Sequence, residues 1–134
     1  MENATIIQSA HDGTTLEFGE RDRDYYRVKL TGPNFQGDCR VYSYEPTPGI
    51  SAFFQEMAGS WRGWQGAKQW ASLEGELKLD ATTDTTGHIC LLVELCSGPS
   101  PFRWRVSAVL LLEAGSMERI AQQIEDFMKN DQEA

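Results

Sequence analysis

No stretch of this chain approaches the roughly 18 consecutive apolar residues that a membrane-spanning helix needs. Residues 1–13, MENATIIQSAHDG, carry neither a basic n-region nor an apolar core of the kind a secretory leader requires, so the expected location is the cytoplasm. Cysteine is sparse. Cys39, Cys90 and Cys96 are odd in number and show no C-x-x-C spacing, which argues against a disulfide framework and for buried free thiols. Positive charge is also short: 12 Lys and Arg stand against 20 Asp and Glu, a net charge of −8. Such a surface repels phosphate backbones and anionic membranes, so neither nucleic acid nor membrane is an expected partner, whereas a basic protein is.

The machinery of several reaction classes is missing too. The chain has two histidines, His11 in a His-Asp-Gly turn and His88 at the start of a strand pattern. Neither stands beside a G-x-S-x-G elbow, a Cys-centred signature or an H-E-x-x-H helix. His88, Cys90 and Cys96 share a strand face, but a rise of about 3.3 Å per residue sets Cys90 and Cys96 roughly 20 Å apart, too far for one zinc ion. Gly59, Gly63 and Gly66 follow a helical pattern, whereas a phosphate loop must open one. Glu74 and Glu76 fall about 7 Å apart on one strand face, a separation seen between glycosidase carboxylates. Every amphipathic strand with outward acids has that spacing, and Arg103 and Arg105 can pair with them across strands. The reading is therefore of a protein without catalytic residues, cofactor or metal.

What is present is a patterned chain of 134 residues, 40% hydrophobic and 24% charged, enough for one domain (1–134) with its own core. Strand-like runs at 4–9, 14–18, 25–31 and 35–44 are separated by His11-Asp12-Gly13, by a charged stretch at 20–24 and by Gly32-Pro33-Asn34. Thr47-Pro48 then offers a helix start, and Ile50, Phe53, Phe54, Met57 and Trp61 recur at helical spacing. From Leu73 the period becomes two, with Leu73, Gly75, Leu77, Leu79 and Ala81 inward and Glu74, Glu76, Lys78 and Asp80 outward. A turn at 83–87 leads to a strand that buries Ile89, Leu91, Val93 and Leu95. A third strand runs from Phe102 to Leu112 with Trp104 and Val106 inward, and its far end, apolar on both faces, calls for a cover. Gly115-Ser116 opens a helix with Met117, Ile120, Ala121, Ile124 and Phe127 on one stripe. The pattern predicts an α+β fold: a mostly antiparallel sheet of about six to seven strands, open to a two-layered or sandwich-like arrangement, with one helix after Pro48 and one at the C-terminus.

Three of the four tryptophans lie within residues 61–70. Two readings are open for this cluster. As core, Trp61 ends the helical stripe, Trp64 folds over the sheet edge and Trp70 begins a strand. As a surface, Trp64, on a loop freed by two flanking glycines, and Trp70, which has the parity of the outward face, join Arg62, Glu74 and Glu76 in a binding patch. Trp61 and Trp104 fit the core reading better.

The run W-R-G-W-x-G-x-x-x-W-x-S-L-E-G-x-L-x-L-x-A-T-x-D-x-x-G-H-I at 61–89, with W-R-V-x-A-x-L-x-L-E-A-G at 104–115, resembles an uncharacterised bacterial domain family and is similar to WapI-type immunity proteins. The likeness covers the C-terminal half, and the N-terminal half in outline. It implies neutralisation of a toxin domain by binding, without chemistry or cofactor, and assigns no active site. The expected function is thus a bacterial cytosolic protein-binding domain, immunity-protein-like, with a basic toxin as partner. The competing reading is a small-molecule or carbohydrate-binding module, enzymatic or not, built on a Trp-lined cleft.

Overall fold

The computed structural model describes residues 4–44, 49–97 and 103–129. The helix start at Thr47-Pro48, the link at 98–101, Phe102 and the tail 130–134 lie outside the described residues. Among the described residues the chain forms eight strands and two α-helices, arranged as two four-stranded antiparallel sheets rather than one sheet of six or seven strands. The first sheet is a meander of β1 (Thr5–Gln8), β2 (Thr15–Gly19), β3 (Tyr25–Gly32) and β4 (Phe35–Tyr42). The second is a meander of β5 (Lys68–Ala71), β6 (Leu77–Thr83), β7 (His88–Cys96) and β8 (Arg105–Glu113). Helix α1 (Ile50–Gly59) joins them, and a 3₁₀ turn (Ala114–Ser116) leads from β8 into α2 (Met117–Lys129).

Alternation sets which side of each sheet is dry. Ile7, Leu16, Phe18, Tyr26, Val28, Leu30 and Val41 turn inward from the first sheet, and Leu79, Leu91 and Val93 from the second. Both helices add their stripes to the same core: Ile50, Phe53, Phe54 and Met57 from α1, and Met117, Ile120, Ile124 and Phe127 from α2. Phe127 sits 5.9 Å from Phe18 and 5.9 Å, edge-on, from Tyr26, so α2 closes over the first sheet. Glu118 in its first turn and Lys129 in its last suit the helix dipole, and Lys129 pairs with Glu125 at 2.8 Å. Among the described residues no helix is long and apolar enough to cross a membrane.

The extra strand comes from the Trp-rich segment. Residues 73–76 are not strand; they turn the chain between β5 and β6, with Gly75 at φ +80° and the turn closed by Ser72 N donating to Leu77 O at 2.9 Å. The long hairpin expected at 73–95 therefore begins at Leu77, and Leu73 is exposed instead of inward. Val106, expected inward and nearly fully buried like Leu79 and Leu91, is only half-buried.

Among the described residues the two sheets meet along the edges of β8 and β4. At one, Ala10 N donates to Leu111 O at 2.7 Å and Leu111 N donates to Ser9 Oγ at 3.0 Å, which ties the β1–β2 turn to the edge of β8. At the other, a side chain at Gly37 on β4 would lie 2.8 Å from Val106 Cγ1, so the absence of one lets the strands approach. The apolar far end of β8 is thus covered only in part. Leu110 and Leu112 are buried, but Val109 and its cross-strand partner Leu92 stand exposed on the outer face of the second sheet.

Candidate functional site

The tryptophan cluster divides, and it divides against the expectation at two positions. Trp70 on β5 is 7% exposed and belongs to the core. It pairs with Leu79 and shares that residue's inward face. Counting parity from 70 through 81 as one strand placed it outward; the turn at 73–76 breaks that count, because β5 and β6 are separate strands whose phase is set by pairing. Trp61, expected in the core, is 60% exposed. Helix α1 stops at Gly59 with Ser60 as its C-cap, so the apolar stripe ends before residue 61. Trp104 precedes β8 and is exposed as well.

Between the two stands Trp64, half-buried, and it pins the loop. Its backbone N donates to Thr83 Oγ1 at 3.2 Å, Thr83 Oγ1 donates back to Trp64 O at 3.0 Å, and its indole Nε1 donates to Ala81 O at 3.1 Å. Gly63, at φ +103°, makes the bend that permits this, and its N donates to Ser60 O at 2.8 Å. Lys68 Nζ lies 5.0 Å from the Trp64 ring centroid and 2.7 Å from Glu56 Oε2. Four residues, Trp61-Arg62-Gly63-Trp64, are thereby fixed across the end of β6. Trp61 projects from them with the Arg62 guanidinium 4.8 Å above its ring.

The acidic rim of this end is built by the β6–β7 turn. Asp84, next to Thr83, accepts from His88 N at 3.0 Å, Thr86 N at 2.8 Å and Thr86 Oγ1 at 2.8 Å. These donors, the His88 amide first, hold its carboxyl down at about 2. His88 lies between Asp84 at 3.4 Å and Glu113 at 3.3 Å, with Thr86 Oγ1 2.7 Å from its Nδ1. Because the folded pKa of Asp84 is depressed below its unfolded value, its contribution is present above about pH 4 and is lost as pH falls toward 2. Asp84→Ala is accordingly expected to lower the urea midpoint at pH 6, with the gap to wild type closing as pH approaches 2.

The other two anticipated contacts are parted. Glu74, in the β5–β6 turn, is exposed, but it lies at the opposite end of β6 from Trp64, roughly 20 Å away at 3.3 Å per residue. Glu76 is not an outward acid at all: it is 4% exposed. Its Oε1 accepts from Ser72 Oγ at 2.6 Å and its Oε2 from the Tyr42 backbone N at 3.1 Å. Its carbonyl accepts from Cys96 N at 3.0 Å. Glu76 is therefore a clamp joining the β5–β6 turn to β4 of the other sheet and to the end of β7. Beside it Cys39 is pushed up to about 12, chiefly by burial, which keeps that thiol protonated and unreactive at neutral pH.

Among the described residues no group of three or more His, Cys, Asp and Glu side chains is placed to hold a metal ion. A groove of about 410 Å³ on the outer face of the second sheet is lined by Trp70, Gln69, Lys78, Asp80, Leu92 and Glu94, with Gln69 Nε2 donating to Asp80 Oδ2 at 2.7 Å. Trp64 does not line it, so the two tryptophans do not form a common cleft.

No curated protein and no solved structure matches this chain. One family model does, over residues 7–131, which spans both sheets and both helices. The chain belongs to DUF6228, a family of unknown function.

Proposed function

We propose that the protein acts by binding another protein, without chemistry of its own, and that the loop carrying Trp61 is the contact surface. The observation that carries this reading is a large aromatic side chain held 60% exposed on a loop that three hydrogen bonds of Trp64 fix to β6. An exposed tryptophan on a rigid support can bury a large area at small entropic cost, which is the character of an interface anchor. Arg62 lies over its ring, and Asp84 and Glu113 supply negative charge at the same end. With a net charge of −8, the surface steers a basic partner toward it. The likeness of the 61–89 and 104–115 motifs to WapI-type immunity proteins points to a toxin domain as that partner, met in the bacterial cytoplasm.

Affinity capture from the native host with mass spectrometry identifies the partner, and titration of the purified pair tests the loop. Trp61→Ala is expected to weaken binding about 30-fold, roughly 2 kcal/mol, while leaving the thermal midpoint unchanged. Trp64→Ala is expected to weaken binding and lower the midpoint together, since it frees the loop. Association slows as salt rises, because exposed charges are screened beyond about 8 Å at physiological ionic strength. Equal affinity of wild type and Trp61→Ala overturns the proposed surface. Turnover of a small substrate, abolished by a single change at His11, His88 or Glu74, overturns the binding function itself.

A further inference from the structure

We propose that His88 is a pH-sensitive switch: it holds the Glu113 carboxylate while its ring is charged and releases it, at the end of the second sheet where the Trp61 loop sits, once the ring is neutral. Turn geometry and strand register assemble the parts. Asp84 closes the β6–β7 turn by accepting from the Thr86 and His88 amides at 2.8 and 3.0 Å, which draws the side chains of residues 84, 86 and 88 together. Pairing of β7 with β8 sets Glu113 directly across from His88. The imidazole is therefore met from two elements, by Asp84 and Thr86 of the turn and by Glu113 of β8.

The number of available protons sets what this group can do. Its members form a chain of three contacts: Glu113 Oε2 to His88 Nε2 at 3.3 Å, His88 Nδ1 to Thr86 Oγ1 at 2.7 Å, and Thr86 Oγ1 to Asp84 Oδ1 at 2.8 Å. Each needs one hydrogen between its two heavy atoms. Ionised carboxylates only accept, so the hydrogens come from the ring and from the Thr86 hydroxyl. Asp84, its carboxyl held down at about 2, has none to lend. An imidazolium brings two and the hydroxyl one, and all three contacts are made. A neutral ring brings one, so one contact must open.

Geometry selects which one opens. The Nδ1 side faces two oxygens, Thr86 Oγ1 at 2.7 Å and Asp84 Oδ2 at 3.4 Å, whereas among the described residues Glu113 is the one carboxylate within reach of Nε2. The remaining proton therefore stays on Nδ1, where it lets the Thr86 hydroxyl keep pointing at Asp84. Nε2 is left with a lone pair turned toward a carboxylate oxygen, and the Glu113 side chain, 57% exposed, is free to move off into water. The His88 side chain is 30% exposed, so solvent reaches the ring to deliver or remove the proton. Glu113 is drawn in when the solution is acidic enough to charge the ring and is otherwise offered to solvent or to a basic group of a partner. That last step rests on the function proposed above; the switch itself does not.

The test uses the intact chain without a partner, its histidine ring nitrogens and glutamate carboxyl carbons isotope-labelled for NMR. Ring nitrogen shifts distinguish the imidazolium from each neutral tautomer. From about pH 5 to about pH 8, the range in which histidine ordinarily changes charge, His88 is expected to pass from the doubly protonated form to the Nδ1–H tautomer, and the Glu113 carboxyl signal to move with it. His11→Gln assigns the signals of the other histidine. His88→Gln, which cannot change charge, should leave the Glu113 signal without that step. Thr86→Val leaves Nδ1 only the more distant Asp84 oxygen and should raise the Nε2–H share at about pH 8 by about threefold. An Nε2–H ring in the wild type at that pH, or a Glu113 step that survives His88→Gln, overturns the proposal. An unchanged tautomer share in Thr86→Val overturns the selection of Nδ1. Because no partner is present, none of these results bears on whether the Trp61 loop binds a protein, and failure of that binding leaves the switch standing.

Discussion

Glu76→Ala is expected to lower stability by roughly 2–5 kcal/mol, read as a drop in the urea midpoint at unchanged slope. The carboxylate accepts from Ser72 Oγ and from the Tyr42 backbone N in a place where almost no water reaches. Truncation leaves both donors without a partner, and each orphaned buried donor costs about 1–3 kcal/mol. Some of that is offset, because a buried charge is itself expensive to keep out of water. Glu76→Gln should fall between, since it keeps the shape but sets an amide donor against one of the two donors. Glu74→Ala, two residues away and exposed, is expected to stay within about 0.5 kcal/mol. Similar losses for Glu74→Ala and Glu76→Ala would mean that the clamp contributes nothing.

Phe127→Ala should cost about 3–5 kcal/mol by lost burial and the cavity left behind. Its ring is the point where α2 meets the first sheet, 5.9 Å from both Phe18 and Tyr26, and none of those three rings reaches solvent. Neighbours on two strands and a helix cannot collapse into the space together, so the loss belongs at the upper end of that range. The thermal midpoint of Phe127→Ala against that of Phe127→Leu, which retains most of the volume, measures the packing share.

Local patterns carried the reading of this fold as far as local physics reaches. The first meander was legible because each of its turns announces itself, as at Asp12-Gly13 and Pro33-Asn34, and because Leu16, Phe18, Tyr26, Val28 and Leu30 alternate cleanly. The stripe of α2 was equally plain. The second sheet misled at one place: S-L-E-G-E-L-K-L satisfies a period of two throughout, so a turn at Gly75 hides inside a strand pattern. That single hidden turn accounts for the missed strand β5, for Trp70 placed outward and for Glu76 placed in water. The signal was Gly75 itself, since an isolated glycine inside a strand pattern marks a place where the backbone departs from the strand. For Trp61 the overlooked signal was Gly59-Ser60, which stops a helix before its stripe can be extended. The burial of Glu76 had no local signal, because its partner on β4 lies 34 residues away in the chain.

The seams between the sheets bear on how the protein reaches its fold. Within each sheet every strand pairs with its neighbour in sequence, so both meanders can form from short loop closures. The ties between them are of another order: the bond from Leu111 N to Ser9 Oγ closes a loop of 102 residues. Closing such a loop is entropically expensive, and it is rewarded only once both meanders exist to be joined. Docking of two preformed sheets is then the late event on the folding path. Changes at Ser9 or Gly37 are expected to speed unfolding more than they slow folding, and the two arms of a chevron plot for each variant check this. On that order of events the native lifetime would be set where the two sheets meet, and the speed of folding in the turns within each sheet.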